Sequence, residues 1–447
     1  MLHHRRRRTV LLACATQILV ALLGLAAVVA WTSPSDSSRA AEAGPTGSGT
    51  APTQAQVAAL LASQSSAMIA RDRSRFAAGL DPSPAAKTYR DAQLAAFGNI
   101  ADVPLASWVE SIDSPVTATD AAQAATTRLG ANATIVKVQL AYALRDVDPA
   151  PTLHSLWLTF VHRDGRTVIS SDSDLADQAG ASWHGLWDYG KVDVYRGASS
   201  LVLAHPQFAA LLPVYAGVVD SAVKAVTAVW GSDWTRQVAV VIPDTQDEMT
   251  AVIGNDLVLN QIDAVSVADV DNPEAGQLLG QRVVLNPANL QKLSDVGEQI
   301  VLRHEVTLIA TRPTVGTGMP TWLIEGFAEY VANLNSGQTV KFAASELSHD
   351  VAAGRVPTSL PTTTDYNSEN TRIAQVYEES WLACRYIAAR AGESGLLKFY
   401  RAVAAAIQAV PAATADEAVN GALKSVLGVS TTQFASGWSG YLRAQLS

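Results

Sequence analysis

Between residues 300 and 331 the sequence reads IVLRHEVTLIATRPTVGTGMPTWLIEGFAEYV. His304 and Glu305 stand side by side in a helical pattern, and Glu325 and Glu329 follow at i, i+4 spacing in a second one. An imidazole nitrogen and carboxylate oxygens are donors that zinc takes. A carboxylate beside the metal can poise a bound water for attack on a carbonyl. A second imidazole four residues after His304 would lie on the same helix face and reach the same ion. That position is Leu308, which has no lone pair to offer.

Two helices must position these groups. The first spans the run IVLRHEVTLIA, where Glu305 is an expensive residue to keep among apolar neighbours. A short Pro/Gly-containing loop follows, and the second helix opens at Pro320-Thr321. Glu325 and Glu329 stack one turn apart on it, a like-charge pair that costs stability unless a cation or donor compensates.

HEVTLIATRP followed by PTWLIEGFAEYVA resembles the gluzincin, or peptidase MA-like, zinc metallopeptidases, over roughly the last 250 residues. In that family the first block is H-E-x-x-H and the second is W-L-x-E-G-x-A-E/D-Y. The resemblance implies that His304 and Glu325 are metal ligands, Glu305 the general base and Glu329 a carboxylate behind the ligands. It also implies that residues 282–286 form the strand edge that pairs with substrate; for Tyr377 it offers a hydroxyl that stabilises a transition state, beside the plainer expectation that this residue packs its helix. The pattern breaks at Leu308. His349, the one histidine of the same domain that follows the site, has no spacing that would replace the lost ligand.

Composition sets the frame. Apolar residues make up 48% and charged residues 16% of 447, enough for sizeable cores in two or three domains. The formal charge is −9; apart from Arg5 to Arg8, 28 basic side chains face 41 acidic ones, a balance of −13. Such a body repels phosphate backbones, and nucleic acid is excluded as an expected partner. Cys14 lies in the N-terminal apolar run and Cys384 in the helical pattern WLACRYIAAR, so Cys384 reads as a small buried hydrophobe.

Along the chain, the four arginines precede 23 residues without charge, from Thr9 to Trp31. That is long enough to cross a hydrocarbon core of about 30 Å. The arginines are expected inside by the positive-inside bias. A cleaved signal peptide would have an apolar run of only ~7–15 residues, so residues 1–31 are expected to be an uncleaved anchor in the lipid bilayer of the cell membrane. The body would then be extracytoplasmic. Residues 32–53 are rich in Ser, Gly, Pro, Thr and Ala and read as a flexible tether.

Residues 54–190 read as a cone-like α+β domain. Helical periodicity over 54–80 and 85–97 gives way to alternating strands at 136–144, 156–161 and 167–169, with Asp164-Gly165 as a hairpin turn. This element order resembles the nuclear transport factor two-like cone, which implies room for a small ligand. The Gly-rich passage around Trp183 and Trp187 is expected to be a junction crossed by few contacts. Residues 198–447 then read as the gluzincin-like domain: strands at 201–203, 238–242, 264–270 and 282–285 in a small mixed sheet, and helices throughout after the site.

The expected fold is therefore α+β, with an N-terminal transmembrane helix, a cone-like domain and a gluzincin-like domain with a helical C-terminal lobe. The expected function is that of a membrane-anchored zinc-metallopeptidase-like protein, a hydrolase fold with an inactive or impaired site, binding peptide or protein. Two alternatives stand beside it. One is an active zinc peptidase with a rescued or two-residue metal site; the other is a non-enzymatic surface protein acting through the cone-like domain.

Overall fold

The computed structural model describes residues 49–115, 119–178, 181–253, 263–269, 279–315, 318–367, 370–409 and 414–447. The anchor expected at residues 1–31, and the tether up to residue 48, lie outside the described residues.

The first half is built from α1 (Gln54–Ala70), α2 (Arg73–Ala78), α3 (Lys87–Asn99) and α4 (Thr119–Leu129), with strands β1 (Leu105–Pro115), β2 (Ala133–Leu144), β3 (Thr152–Arg163) and β4 (Arg166–Ser171). Thr53 and Gln56 form a reciprocal capping box that starts α1. Arg71 takes a left-handed conformation (φ 56°) that ends it, splitting the helical pattern of residues 54–80 in two. The strands pair in sequence order as one antiparallel sheet, and the β3–β4 turn is the Asp164-Gly165 hairpin, both residues at positive φ.

The second half holds a mixed sheet of β5 (Asp193–Arg196), β6 (Ser200–Ala204), β7 (Val238–Ile242), β8 (Ala264–Asp269) and β9 (Leu279–Leu285), in the order β5-β6-β7-β9-β8. Strands β6, β7 and β9 are parallel; β6 and β7 are buried and apolar at their centres, as strands covered on both faces are, while β9 is apolar over Val283–Leu285 and carries Arg282 before it. Strand β8 runs antiparallel to β9 at the edge of the sheet. Residues 282–286 are therefore not an edge. Pairing with β7 on one side and β8 on the other uses both sides of β9, and the edge strand lies earlier in the chain.

Among the described residues, the helices here are α5 (Leu212–Trp230), α6 (Gln246–Ile253), α7 (Pro287–Leu290), α8 (Asp295–Thr311), α9 (Thr321–Asn333), α10 (Val340–Ala343), α11 (Ser345–Ala352), α12 (Ile373–Ala409, kinked at Gly392), α13 (Ala415–Ala422) and α14 (Thr431–Leu446). Helix α5 is long and apolar enough to cross a membrane, but it buries Val219, Val223, Val226 and Trp230 in the core it shares with α8, α9 and α12. It is the core helix of the sheet.

The passage between the halves is not sparse. Leu203, Val241, Val265 and Val284 on one face of the mixed sheet join the same apolar core as Trp108, Tyr142 and Trp187. Indole and imidazole stack there as well, with Trp183 3.8 Å from His154 between ring centroids. The Gly-rich composition of the junction reflects tight packing: a Cβ on Gly185 would lie 2.5 Å from the Trp187 ring.

Candidate functional site

Helix α8 carries His304, Glu305 and Leu308. Ser294 caps its N-terminus by accepting the Gly297 N–H, and Asp295 and Glu298 sit in the first turn, where negative charge is favourable. Helix α9 packs across it with Glu325 and Glu329. The Arg303 guanidinium on α8 donates to the carbonyls of Ala332 and Leu334 at the end of α9, so the two helices are tied at one end by a C-terminal cap. On its other side α9 meets α12 so closely that a Cβ on Gly326 would lie 2.3 Å from the Ser380 carbonyl oxygen.

These contacts bring together all four chemical residues read from the sequence. His304 is 1% exposed and Glu305 and Glu325 are 0% exposed. The His304 Nε2 lies 3.3 Å from a Glu325 oxygen, and its Nδ1 lies 3.2 Å from a Glu329 oxygen. Asn333 donates to the other Glu329 oxygen at 3.0 Å and steadies that carboxylate. Neither approach to the imidazole has hydrogen-bond alignment, however. Both His304 nitrogens and both oxygens of Glu305 and Glu325 are buried without a hydrogen-bond partner. Each such orphan costs roughly 1–3 kcal/mol.

The electrostatics follow from this enclosure. Burial pushes the His304 imidazole down, but Glu325 and Glu329, with Glu305, outweigh it and raise the group well above its ordinary value. The direction of this shift favours the protonated imidazole between the two carboxylates. Burial pushes Glu305 up to about 7, with His304, Ser266 and Arg312 pulling the other way and Glu325 adding to the rise. Burial raises Glu325 as well, against the pull of His304.

Leu308 is 3% exposed and sits one turn after His304 in the same apolar core. His349 is exposed on α11, whereas His304, Glu305 and Glu325 are buried. Among the described residues, no three His, Cys, Asp or Glu side chains are grouped so as to hold a metal ion. The residue set therefore does not fit a zinc centre with three protein ligands. His304 and Glu325 supply two donors, and both face each other instead.

Tyr377 does line the site. Burial raises its hydroxyl well above the ordinary tyrosine value, and Glu325, Glu329 and Glu305 all contribute to the rise. Tyr366 packs edge-on against it at 5.3 Å between ring centroids. Three groups had no role assigned from sequence: Tyr366, Ser266 and Arg312. The Arg312 guanidinium follows α8 and donates to the Ser266 backbone carbonyl (2.8 Å) and hydroxyl (2.7 Å) on edge strand β8. A backbone acceptor that an added strand would use is thus already engaged. Arg312 was visible in the motif as the basic residue of TRP, but its partner depends on where β8 packs.

No protein-family model and no curated protein matches the sequence. Among solved structures the chain is similar to a two-domain M1 zinc metallopeptidase mutant bound to L-arginine, at 13% identity and a TM-score of 0.35. It is also similar to one bound to L-tryptophan, at 14% identity and a TM-score of 0.34. A third is an M1 zinc metallopeptidase mutant from Deinococcus radiodurans bound to a Tyr-Ser-Ala substrate, at 14% and 0.33. Each overlap covers 63% of this chain and 58% of the other, so the chain spans less than two thirds of these enzymes. At such values the overlap decides nothing about the chemistry of this chain.

Proposed function

We propose that this chain is a metallopeptidase-like protein that keeps the two-helix frame of a zinc peptidase without its metal centre, and that binds peptide or protein segments without cleaving them. The observation that carries this reading is the exchange of partners at His304. With Leu308 in the place of a second imidazole, the two ring nitrogens of His304 face the carboxylates of Glu325 and Glu329. Arg312, which follows α8, supports the absence of cleavage, since on edge strand β8 it occupies the Ser266 carbonyl, a backbone acceptor that an extended substrate would use there. The proposal includes delivery outside the cytoplasm on an anchor at residues 1–31, with the lipid bilayer as partner and the body facing away from the Arg cluster.

A second reading, a working zinc peptidase with a rescued or two-residue site, has one observation in its favour. The side-chain nitrogens and oxygens of His304, Glu305 and Glu325 are buried without hydrogen-bond partners, and burial pushes Glu305 up to about 7.

Incubation of the purified full chain with a mixture of fluorogenic peptides, with and without a zinc chelator, separates the two. The proposal expects no chelator-sensitive hydrolysis. Chelator-sensitive cleavage that disappears in Glu305→Gln would establish the second reading in its place.

A further inference from the structure

A cavity of about 70 Å³ lies in the first half of the chain, between α1, α3 and the inner face of the four-stranded sheet. Its lining residues belong to elements other than those that carry His304 and Glu325. Its walls are aromatic, with Phe97, Trp108, Trp183 and Trp187 among them, and Trp108 and Trp187 meet edge to face at 5.8 Å. Such a lining by itself would hold a neutral apolar molecule.

The polar groups set into these walls are of one sign. Glu110, Asp172 and Asp188 line the cavity, and no lysine or arginine does. The single basic side chain there is His184, whose Nδ1 stands 3.9 Å from Asp188. Glu110 accepts the Trp108 Nε1–H at 3.0 Å, and Asp188 accepts the Gly185 N–H at 2.7 Å. Tyr89 lines the same cavity, and burial raises its hydroxyl well above the ordinary value, with Asp172, Glu110 and Asp188 adding to the rise. Gln64 on α1 also lines the cavity, is 1% exposed, and has a side-chain oxygen with no hydrogen-bond partner. An orphaned acceptor and three carboxylates in the wall of one cavity call for a donor that carries positive charge.

A bare metal ion does not meet the requirement, since among the described residues no three acidic, His or Cys side chains are close enough to share one. An organic cation does, because indole faces attract ammonium groups at distances too long for coordination. Burial pushes Glu110 up to about 7 against the Trp108 hydrogen bond, and Asp188 up to about 6 against the pull of His184 and the Gly185 N–H, so a bound cation would also relieve a standing cost. The volume admits roughly five water-sized centres at 10–15 Å³ each. We infer that this cavity binds a small organic cation, a primary or quaternary ammonium group of a few carbon atoms, seated against Glu110 and Asp188 and walled by the indoles of Trp108 and Trp187.

The test is a titration of indole fluorescence in the full chain at pH 8 and fixed ionic strength, with n-butylammonium and tetramethylammonium as probes and n-butanol and butyrate as controls. Saturable binding of at least one ammonium, with neither control binding, is expected. Glu110→Gln should weaken it at least tenfold at unchanged circular dichroism. Asp188→Asn, which keeps the acceptor for the Gly185 N–H, should weaken it comparably and serves where Glu110→Gln fails to fold. No saturable signal with either ammonium would overturn the inference. So would butanol binding as tightly as butylammonium, or an unchanged affinity in a folded carboxylate variant.

Discussion

The Arg282 guanidinium on β9 grips the Asp148 carboxylate that follows β2, with one nitrogen 2.6 Å from each oxygen. Both side chains are buried, so a two-pronged charged pair is embedded in the apolar seam between the two sheets. Removing one partner of such a pair leaves the other as an uncompensated buried charge, which costs about 3–5 kcal/mol. Asp148→Ala should therefore lower the thermal midpoint by several degrees. The wild-type chain should unfold in one calorimetric transition across both halves. Two well-separated transitions in the wild type, or an Asp148→Ala midpoint within a degree of it, would contradict a continuous core.

Gly326 gives a prediction whose sign separates packing from propensity. On helix propensity alone, Gly→Ala inside α9 stabilises by up to ~1 kcal/mol. The methyl group would meet the Ser380 carbonyl oxygen at 2.3 Å and the Cys384 sulfur at 3.1 Å. Backbone cannot swing aside as a flexible side chain can, so Gly326→Ala should destabilise by roughly 1–3 kcal/mol. Chemical denaturation gives the sign directly, and a stabilised variant would mean that α9 and α12 stand further apart.

The pH dependence of stability follows from carboxyls raised by burial. Glu378 is pushed up to about 8 and Glu379 to about 7, in each case by burial against their hydrogen-bonding partners. The folded state therefore holds protons that the unfolded state has released above its ordinary carboxyl range, near 4.5. Stability falls as pH rises from there to about 8. Asp81 acts in the opposite sense. Burial raises it, but Arg163, Ser83 and Ser170 outweigh that and hold it below its ordinary value. Its contribution is present above the unfolded value and is lost as pH falls through the folded one. Thermal midpoints should peak near pH 5 and be lower by several degrees at pH 8. A midpoint that rises steadily from pH 5 to 8 would show that these groups stay ionised in the fold.

Much of the site was legible because its signals are local. The run around His304, the start of α9 at Thr321 and the apolar strands β6 and β7 each follow from spacing within a few residues. Strand β1 was missed because its alternation is broken by irregularities at residues 105–107 and 112–114, and it mixes Ser, Glu and Asp with Trp and Val. The order of β8 and β9 was misread for a different reason. Which of two successive strands is the edge is a matter of pairing across the sheet, and nothing in either strand's composition records it. The same holds for Arg312, whose meaning depends on Ser266, distant in sequence and adjacent only in the fold.

We propose that Leu308 stands where a second metal ligand would be and leaves His304 as a core group between Glu325 and Glu329. Zinc bound per chain, measured by equilibrium dialysis for the wild type and for Leu308→His, tests it most directly. The wild type should bind well below one zinc per chain. Leu308→His should approach one and gain thermal stability with added zinc, because a ion bound only by the folded state stabilises it by mass action. Stoichiometric zinc in the wild type that is lost in His304→Ala would contradict the account.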